Sequence, residues 1–356
     1  MTPLARLQSA LAESDFDAVL LSSEINERYL SGFVYSDGYM LVTREAAFLL
    51  TDLRYAEAAR AKVKDFIILT PKTRQLDAIA ELVRDQHLDR VAIEEDALSY
   101  AAFGKFAEAL PCTLASGASA MLSRLRRVKS DAELSVIARA QEITDRAFAH
   151  ILDFISPRVT EREVAMELEF FMRREGAEGV AFPTIAVSGS ASSLPHGEPR
   201  DLPLQKGFLT MDFGAQVDGY CSDMTRTVVI GRADDEMKRV YETVLGAQRA
   251  ALDFVREGVA CCEVDAVARR YITDRGYGAN FTHSLGHGIG MLVHESPSFS
   301  RLAPPESILS RGNVMSVEPG IYLEGRFGVR IEDMIAVTQD GTIRNFTKSP
   351  KELIEL

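Results

Sequence analysis

Long apolar runs, CxxC cysteine pairs and an excess of basic charge are all missing from this 356-residue sequence. No apolar run reaches the roughly 18 residues needed to span a bilayer, and residues 1–15 include no secretory h-region. We therefore expect no membrane association and a cytoplasmic location. The net charge of −12 argues against nucleic acid as a partner, because nucleic acid selects basic surfaces. The four cysteines show no CxxC spacing, so we expect them to be reduced and structural.

Two domains are expected, because 356 residues exceed one ordinary hydrophobic core. A hydrophobic fraction of 46% and a charged fraction of 26% indicate a globular protein. The N-terminal third alternates apolar runs at 18–21, 40–42, 48–50, 66–69 and 90–93 with helical patterns at 3–13, 55–62, 75–86 and 100–110. We predict a small α/β domain over 1–120, a linker over 116–130, and a second domain over 128–356.

The second domain begins with two capping boxes, in which a hydroxyl residue precedes a glutamate by three positions. Ser130 and Glu133 predict a helix reaching about residue 155, and Thr160 and Glu163 predict one that stops at Gly176. Two further helices are expected over 235–256 and 263–275. Because strands follow each helix pair, this order predicts an α+β domain built from two halves that face each other.

The segment 209–230 alternates apolar and polar residues on both sides of an Asp-Gly pair at 218–219, which predicts a β-hairpin with a tight turn. Counting outward from the turn places Gly214 opposite Asp223 and puts Asp212 on the same face. The two aspartates are then diagonal neighbours roughly 7–8 Å apart, a gap that suits metal ions. For the hairpin alone, two solvated aspartates on an exposed face remain the simpler interpretation.

Histidines concentrate in the segment 283–295, which reads HSLGHGIGMLVHE and holds three of the six histidines of the chain. The spacing of His283 and His287 resembles that of a zinc-binding helix, but Ser284 replaces the glutamate that such a motif requires. His294 lies seven residues beyond His287. A fourth histidine, His196, lies in a Pro-His-Gly loop, where a lone histidine is more often a surface residue.

Two more carboxylates follow in apolar surroundings. Glu318 stands at a predicted strand end before a Pro-Gly turn, and Arg330 and Glu332 share one face of a predicted later strand. Four carboxylates in one pocket would repel one another, whereas two divalent cations would balance them, as in co-catalytic metal hydrolases. The candidate ligands are Asp212, Asp223, His287, Glu318 and Glu332.

The motifs DFGAQVDGYCSDMTRT, HSLGHGIGMLVHE, SVEPGIY and VRIEDM resemble those of the aminopeptidase P and prolidase family of metallopeptidases. The resemblance covers residues 129–356 and implies a pita-bread catalytic domain, while the N-terminal third resembles the creatinase-type domain that accompanies it. Methionine aminopeptidases share the catalytic fold and its ligands. The resemblance to methionine aminopeptidases is weaker than that to the aminopeptidase P and prolidase family, because methionine aminopeptidases usually lack such an N-terminal domain.

The resemblance also implies a role for each candidate residue. Asp212 would hold one metal ion as a bidentate ligand, and Asp223 and Glu332 would bridge both ions. His287 and Glu318 would complete the second site, with Glu318 also serving as the catalytic proton acceptor.

The remaining candidates would act on the substrate. His294 and His196 match histidines that contact the substrate and stabilise the tetrahedral intermediate. His283 matches a histidine at the pocket rim, and Arg330 matches an arginine near the bridging glutamate and the substrate.

The implied activity is hydrolysis of the bond that precedes proline at the free N-terminus of a peptide, with a homodimer as the expected assembly. The residues leave open whether dipeptides or longer peptides are cleaved. The oxygen-rich ligand set and the resemblance favour Mn²⁺, although Co²⁺, Fe²⁺ and Zn²⁺ would fit. The alternatives are a non-catalytic binding protein with this fold and a metal-independent creatinase-like hydrolase, both of which would normally have lost ligands.

Overall fold

The computed structural model describes residues 1–156 and 158–356 and divides the chain into two compact units, Met1–Arg126 and Arg127–Leu356. None of the helices in these described ranges combines the length and the apolar character that a membrane crossing requires. None of the four cysteines forms a disulfide bond.

The first unit is a six-stranded mixed sheet with helices between its strands. The strand order is β4-β3-β2-β1-β5-β6, with β1–β2 and β2–β3 antiparallel and the other pairs parallel. The strands are β1 (Ala18–Leu21), β2 (Gly38–Thr43), β3 (Ala47–Thr51), β4 (Ile67–Leu69), β5 (Arg90–Ile93) and β6 (Thr113–Ser116). The helices are α1 (Pro3–Ala12), α2 (Glu24–Ser31), α3 (Leu53–Lys62), α4 (Gln75–Asp85), α5 (Tyr100–Ala109) and α6 (Ala118–Arg127).

The boundary between the two units, at Arg126 and Arg127, falls inside the predicted linker over 116–130, but most of that segment forms helix α6 and is not an irregular connection. Ala118, Met121, Leu122 and Arg126 are buried at the spacing of one helical face, and this stripe outweighs the small, polar composition of the segment. Helix α2 and strand β6 were also missed, since each is too short to develop a clear periodicity.

The second unit repeats a helix pair followed by strands, as the capping boxes predict. Both boxes are present, with the first at α7 (Asp131–Phe154) and the second at α8 (Glu161–Arg174). The first half continues through β7 (Gly179–Val180), β8 (Ile185–Ser188), β9 (Gly207–Phe213), β10 (Ala215–Val217), β11 (Tyr220–Cys221) and β12 (Met224–Ile230). The second half comprises α9 (Asp235–Phe254), α10 (Cys261–Thr273), β13 (Gly286–Gly288), β14 (Glu295–Phe299), β15 (Val314–Val317), β16 (Gly320–Leu323), β17 (Phe327–Arg330), β18 (Asp333–Val337) and β19 (Ile343–Asn345).

Strand β9 is buried on both faces and therefore separates two apolar cores. Leu209, Met211 and Phe213 pack in the core formed with α7 and α8, whereas Phe208 packs in the core formed with α9 and α10. Because side chains alternate along a strand, Asp212 lies on the face of Phe208, toward the second half of the unit. A carboxylate is thus placed between the two halves.

Candidate metal centre

The predicted hairpin forms in the predicted register. Asp212 pairs with Thr225 across β9 and β12, and the positive φ angles of 47° and 85° at residues 218 and 219 match a tight type I′ turn. Gly214 joins β9 to β10 where the backbones nearly touch, since a Cβ atom there would lie 1.9 Å from the carbonyl oxygen of Ser222. This close approach brings Asp212 and Asp223 into one cavity.

Glu332 is hydrogen-bonded to the same hairpin. The prediction that it lies on a strand is wrong. The chain leaves β17 at Arg330 and enters β18 at Asp333, so Glu332 lies in a two-residue passage between strands that belong to different sheets. Its N–H donates to the carbonyl oxygen of Thr225 at 3.1 Å, and the Thr225 hydroxyl donates to its Oε2 at 2.8 Å. The irregular backbone therefore brings Glu332 to the aspartate pair.

His287 and Glu318 complete the group from two other strands of the second half. His287 is the central residue of β13, and Glu318 follows the last residue of β15. His287 Nε2 lies 3.2 Å from Glu318 Oε1 and 3.6 Å from Asp223 Oδ2. Asp223, His287 and Glu332 each offer a ligand atom within 4.8 Å of the others.

The charge balance of this group fits divalent cations. Burial, and then the neighbouring carboxylates, raise the pKa of Asp223 and of Glu332 well above the usual range. Two buried oxygens, Asp212 Oδ1 and Glu332 Oε1, have no hydrogen-bond partner among the described residues. Four carboxylates and one imidazole with unsatisfied oxygens form a donor set that hard divalent ions bind.

Arg330 is buried, and its guanidinium is engaged by protein atoms. It donates to Asp212 Oδ2 at 2.7 Å, to the Thr225 hydroxyl at 2.9 Å and to the Tyr322 hydroxyl at 2.8 Å. The Tyr322 hydroxyl is also 2.9 Å from His283 Nε2. Sequence reasoning missed Thr225 and Tyr322, although both lie inside the motifs SDMTRT and SVEPGIY.

All nine predicted site residues line one cavity of about 950 Å³ in the second unit. His294 packs edge-on against His287, with ring centroids 4.2 Å apart, and it is exposed to the cavity together with His196. Further lining comes from helix α8 and from the segment 182–185, including Ala165, Met166, Phe182 and Pro183. The buried carboxylates therefore face a cavity whose walls consist of apolar side chains and imidazole groups.

Comparison with known proteins agrees with this geometry. Residues 135–339 match the model of metallopeptidase family M24, and residues 3–128 match that of the creatinase/prolidase N-terminal domain. The chain belongs to metallopeptidase family M24. Membership implies divalent metal ions, and it confirms the expected creatinase-type domain followed by a pita-bread catalytic domain.

Similar proteins span nearly the whole of this M24 chain. A solved Xaa-Pro dipeptidase from Bacillus anthracis is 40% identical, with a TM-score of 0.95 and 99% of each chain covered. An X-Pro aminopeptidase structure from Thermotoga maritima is 37% identical, with a TM-score of 0.91, and the match covers 99% of this chain and 100% of that one. YqhT from Bacillus subtilis, named an uncharacterized peptidase, is 39% identical over 99% of each sequence.

Proposed function

We propose that this protein hydrolyses the peptide bond between a free N-terminal residue and a following proline. The observation that carries the proposal is that four carboxylates and four histidines converge on a single cavity. Membership of family M24 and the matches to an Xaa-Pro dipeptidase and an X-Pro aminopeptidase support the same substrate class.

We propose that Asp212 would hold one metal ion, that Asp223 and Glu332 would be shared between two ions, and that His287 and Glu318 would complete the second site. Mn²⁺ is the proposed metal, because the donors are mostly oxygen atoms and include only one imidazole. When bound, such ions act as Lewis acids on the scissile carbonyl and lower the pKa of water. Arg330 orients Asp212 by its 2.7 Å hydrogen bond, while its position in the cavity wall leaves it near the substrate.

Glu318 is the proposed proton acceptor. Burial opposes its ionisation, but the hydrogen bond and the charge of His287 lower its pKa to about 2. In the metal-loaded centre, where His287 would be a neutral ligand, Glu318 would take a proton from water and pass it to the leaving nitrogen of proline. That nitrogen is a secondary amine, and it must be protonated to depart.

The histidines are proposed to bind the carbonyl oxygen and the proline ring. Burial lowers the pKa of His294 and of His283, so both are neutral at pH 7 and can still donate one N–H hydrogen bond. His294 and His196 are assigned to the tetrahedral intermediate, and His283 to the rim of the pocket. Proline has no N–H and a fixed φ. A site shaped for proline therefore offers no hydrogen-bond partner to the N–H of a residue that replaces it in the substrate.

A substrate panel with Mn²⁺ present tests this function. We expect cleavage of Xaa-Pro or Xaa-Pro-peptides, strongly reduced cleavage of Xaa-Ala, and none of acetyl-Xaa-Pro, because the acidic group accepts a free amino terminus. Cleavage of the dipeptide alone would define a dipeptidase, and cleavage of longer peptides an aminopeptidase. Equal rates on Xaa-Ala and Xaa-Pro would refute the proline assignment.

We also propose that the protein is a cytoplasmic homodimer. Sedimentation of the purified, metal-loaded protein tests the assembly, and fractionation of the source cells tests the location.

A further inference from the structure

A fully buried arginine lies behind the carboxylates of the metal centre. Arg226, in β12, is only 1% exposed, and it uses all five of its N–H donors on protein oxygens. Four of the acceptors are main-chain carbonyl oxygens and the fifth is a carboxylate. The acceptors are the carbonyl oxygens of Thr225, Glu332, Ser349 and Pro350 and the Oδ1 atom of Asp333.

One side of this guanidinium holds the backbone of the proposed bridging ligands. Nη1 donates to the carbonyl oxygens of both Thr225 and Glu332, the two residues already joined by their own backbone and hydroxyl hydrogen bonds. Thr225 lies two positions after Asp223. A displacement of Arg226 would therefore move both bridging carboxylates relative to each other.

The other side of the guanidinium holds the segment 348–351. Nε and Nη2 donate to the carbonyl oxygens of Pro350 and Ser349 at 3.0 and 2.9 Å. Lys351 donates to Asp333 Oδ2 at 2.7 Å, so Asp333 is held between two cations. The Tyr241 hydroxyl donates to the carbonyl oxygen of Lys351 at 3.0 Å and anchors the same segment without contacting the metal centre.

We propose that Arg226 is a positioning residue whose hydrogen bonds to Thr225, Glu332 and Asp333 set the metal affinity of the centre. The proposal rests on the ligand set assigned under the proposed function. Its physical basis is that groups outside the ligand shell fix the orientation of the ligands, and that their loss typically lowers metal affinity by about 10- to 100-fold. A purely structural arginine would stabilise the fold and leave metal binding unchanged.

The experiment compares four substitutions in the full-length protein. Arg226→Met removes all five hydrogen bonds, Arg226→Lys keeps a positive charge beside Asp333, and Lys351→Met removes the second cation. Tyr241→Phe is the matched control, because it removes a hydrogen bond to the carbonyl oxygen of Lys351 and leaves all five hydrogen bonds of Arg226 in place. Each metal-stripped protein is titrated with Mn²⁺ by calorimetry, and its Tm is measured without metal.

We expect Arg226→Met to bind Mn²⁺ about 10- to 100-fold more weakly, with activity recovering at high Mn²⁺ concentration. The Mn²⁺ affinities of Arg226→Lys and Lys351→Met should lie between those of Arg226→Met and wild type. Tyr241→Phe should bind Mn²⁺ with the affinity of wild type, although its Tm is lower. Wild-type affinity in a folded Arg226→Met protein would overturn the proposal. If that variant does not fold, equal affinities of Lys351→Met and Tyr241→Phe would overturn it instead. Failure of wild type to bind Mn²⁺, Co²⁺, Fe²⁺ or Zn²⁺ would refute the ligand assignment itself.

Discussion

Gly214→Ala gives a sharp test of the metal centre, because it changes one methyl group and no charge. The new Cβ atom would lie 1.9 Å from the carbonyl oxygen of Ser222, whereas ordinary contacts begin at 3.4 Å. The chain before Asp223 must therefore move by about 1.5 Å, a misplacement on the scale at which about 100-fold in rate is lost. In free energy of activation this loss corresponds to about 2.7 kcal/mol.

The assay is release of proline from an Xaa-Pro substrate at saturating Mn²⁺, with metal content measured on the same sample. Gly104→Ala is the control, because its site is inside helix α5 and its added methyl group would have no atom within 4 Å apart from its chain neighbours and the backbone of its own helix. Alanine is favoured over glycine there by about 0.5–1 kcal/mol, so the control should be fully active and slightly more stable. A Gly214→Ala enzyme with normal turnover and metal content would refute the close-approach argument.

Three further outcomes follow from the site. Asp223→Asn and Glu332→Gln should each lower turnover more than about 100-fold while leaving the fold intact, as measured by kinetics and circular dichroism, because each removes charge at nearly constant volume. In metal-stripped protein, the raised pKa of Glu332 keeps its carboxyl protonated in the folded state while the unfolded chain ionises it above its ordinary pKa of 4.5, so the stability of wild type falls as pH rises. Thermal melts should therefore show that the Tm of Glu332→Gln rises relative to the Tm of wild type between pH 5 and pH 8. A difference in Tm that does not change with pH would contradict this. His294→Ala and His196→Ala should lower kcat with little change in metal content, and loss of metal instead would make them ligands.

Features set by neighbouring residues were predictable from the sequence. The hairpin register follows from the Asp-Gly turn, and both long helices begin at the capping boxes of Ser130 and Thr160. The nine candidate site residues share one cavity, as the motif resemblance implies. The hairpin and helix predictions succeeded because they rest on local periodicity and turn chemistry, whereas the roles of the nine site residues stay predictions.

Features set by distant partners were not predictable in this way. Helix α6 was taken for a linker because its apolar stripe is interrupted by serines and arginines. Glu332 was placed on a strand, since nothing local shows that β17 and β18 belong to different sheets. Arg226 has the sequence surroundings of an ordinary strand residue, and its importance emerges only when the segment 348–351 packs against it.

The long sequence separations within the metal centre bear on how the protein folds. The hydroxyl bond from Thr225 to Glu332 joins residues 107 positions apart, and that from Arg226 to Pro350 joins residues 124 positions apart. Contacts between residues so far apart in the sequence form only after large loops close, and the entropic cost of closing these loops slows folding. We therefore expect the ion site to form late in folding and a bound cation to slow unfolding, because a cation that needs the finished arrangement stabilises the folded state without acting as a nucleus.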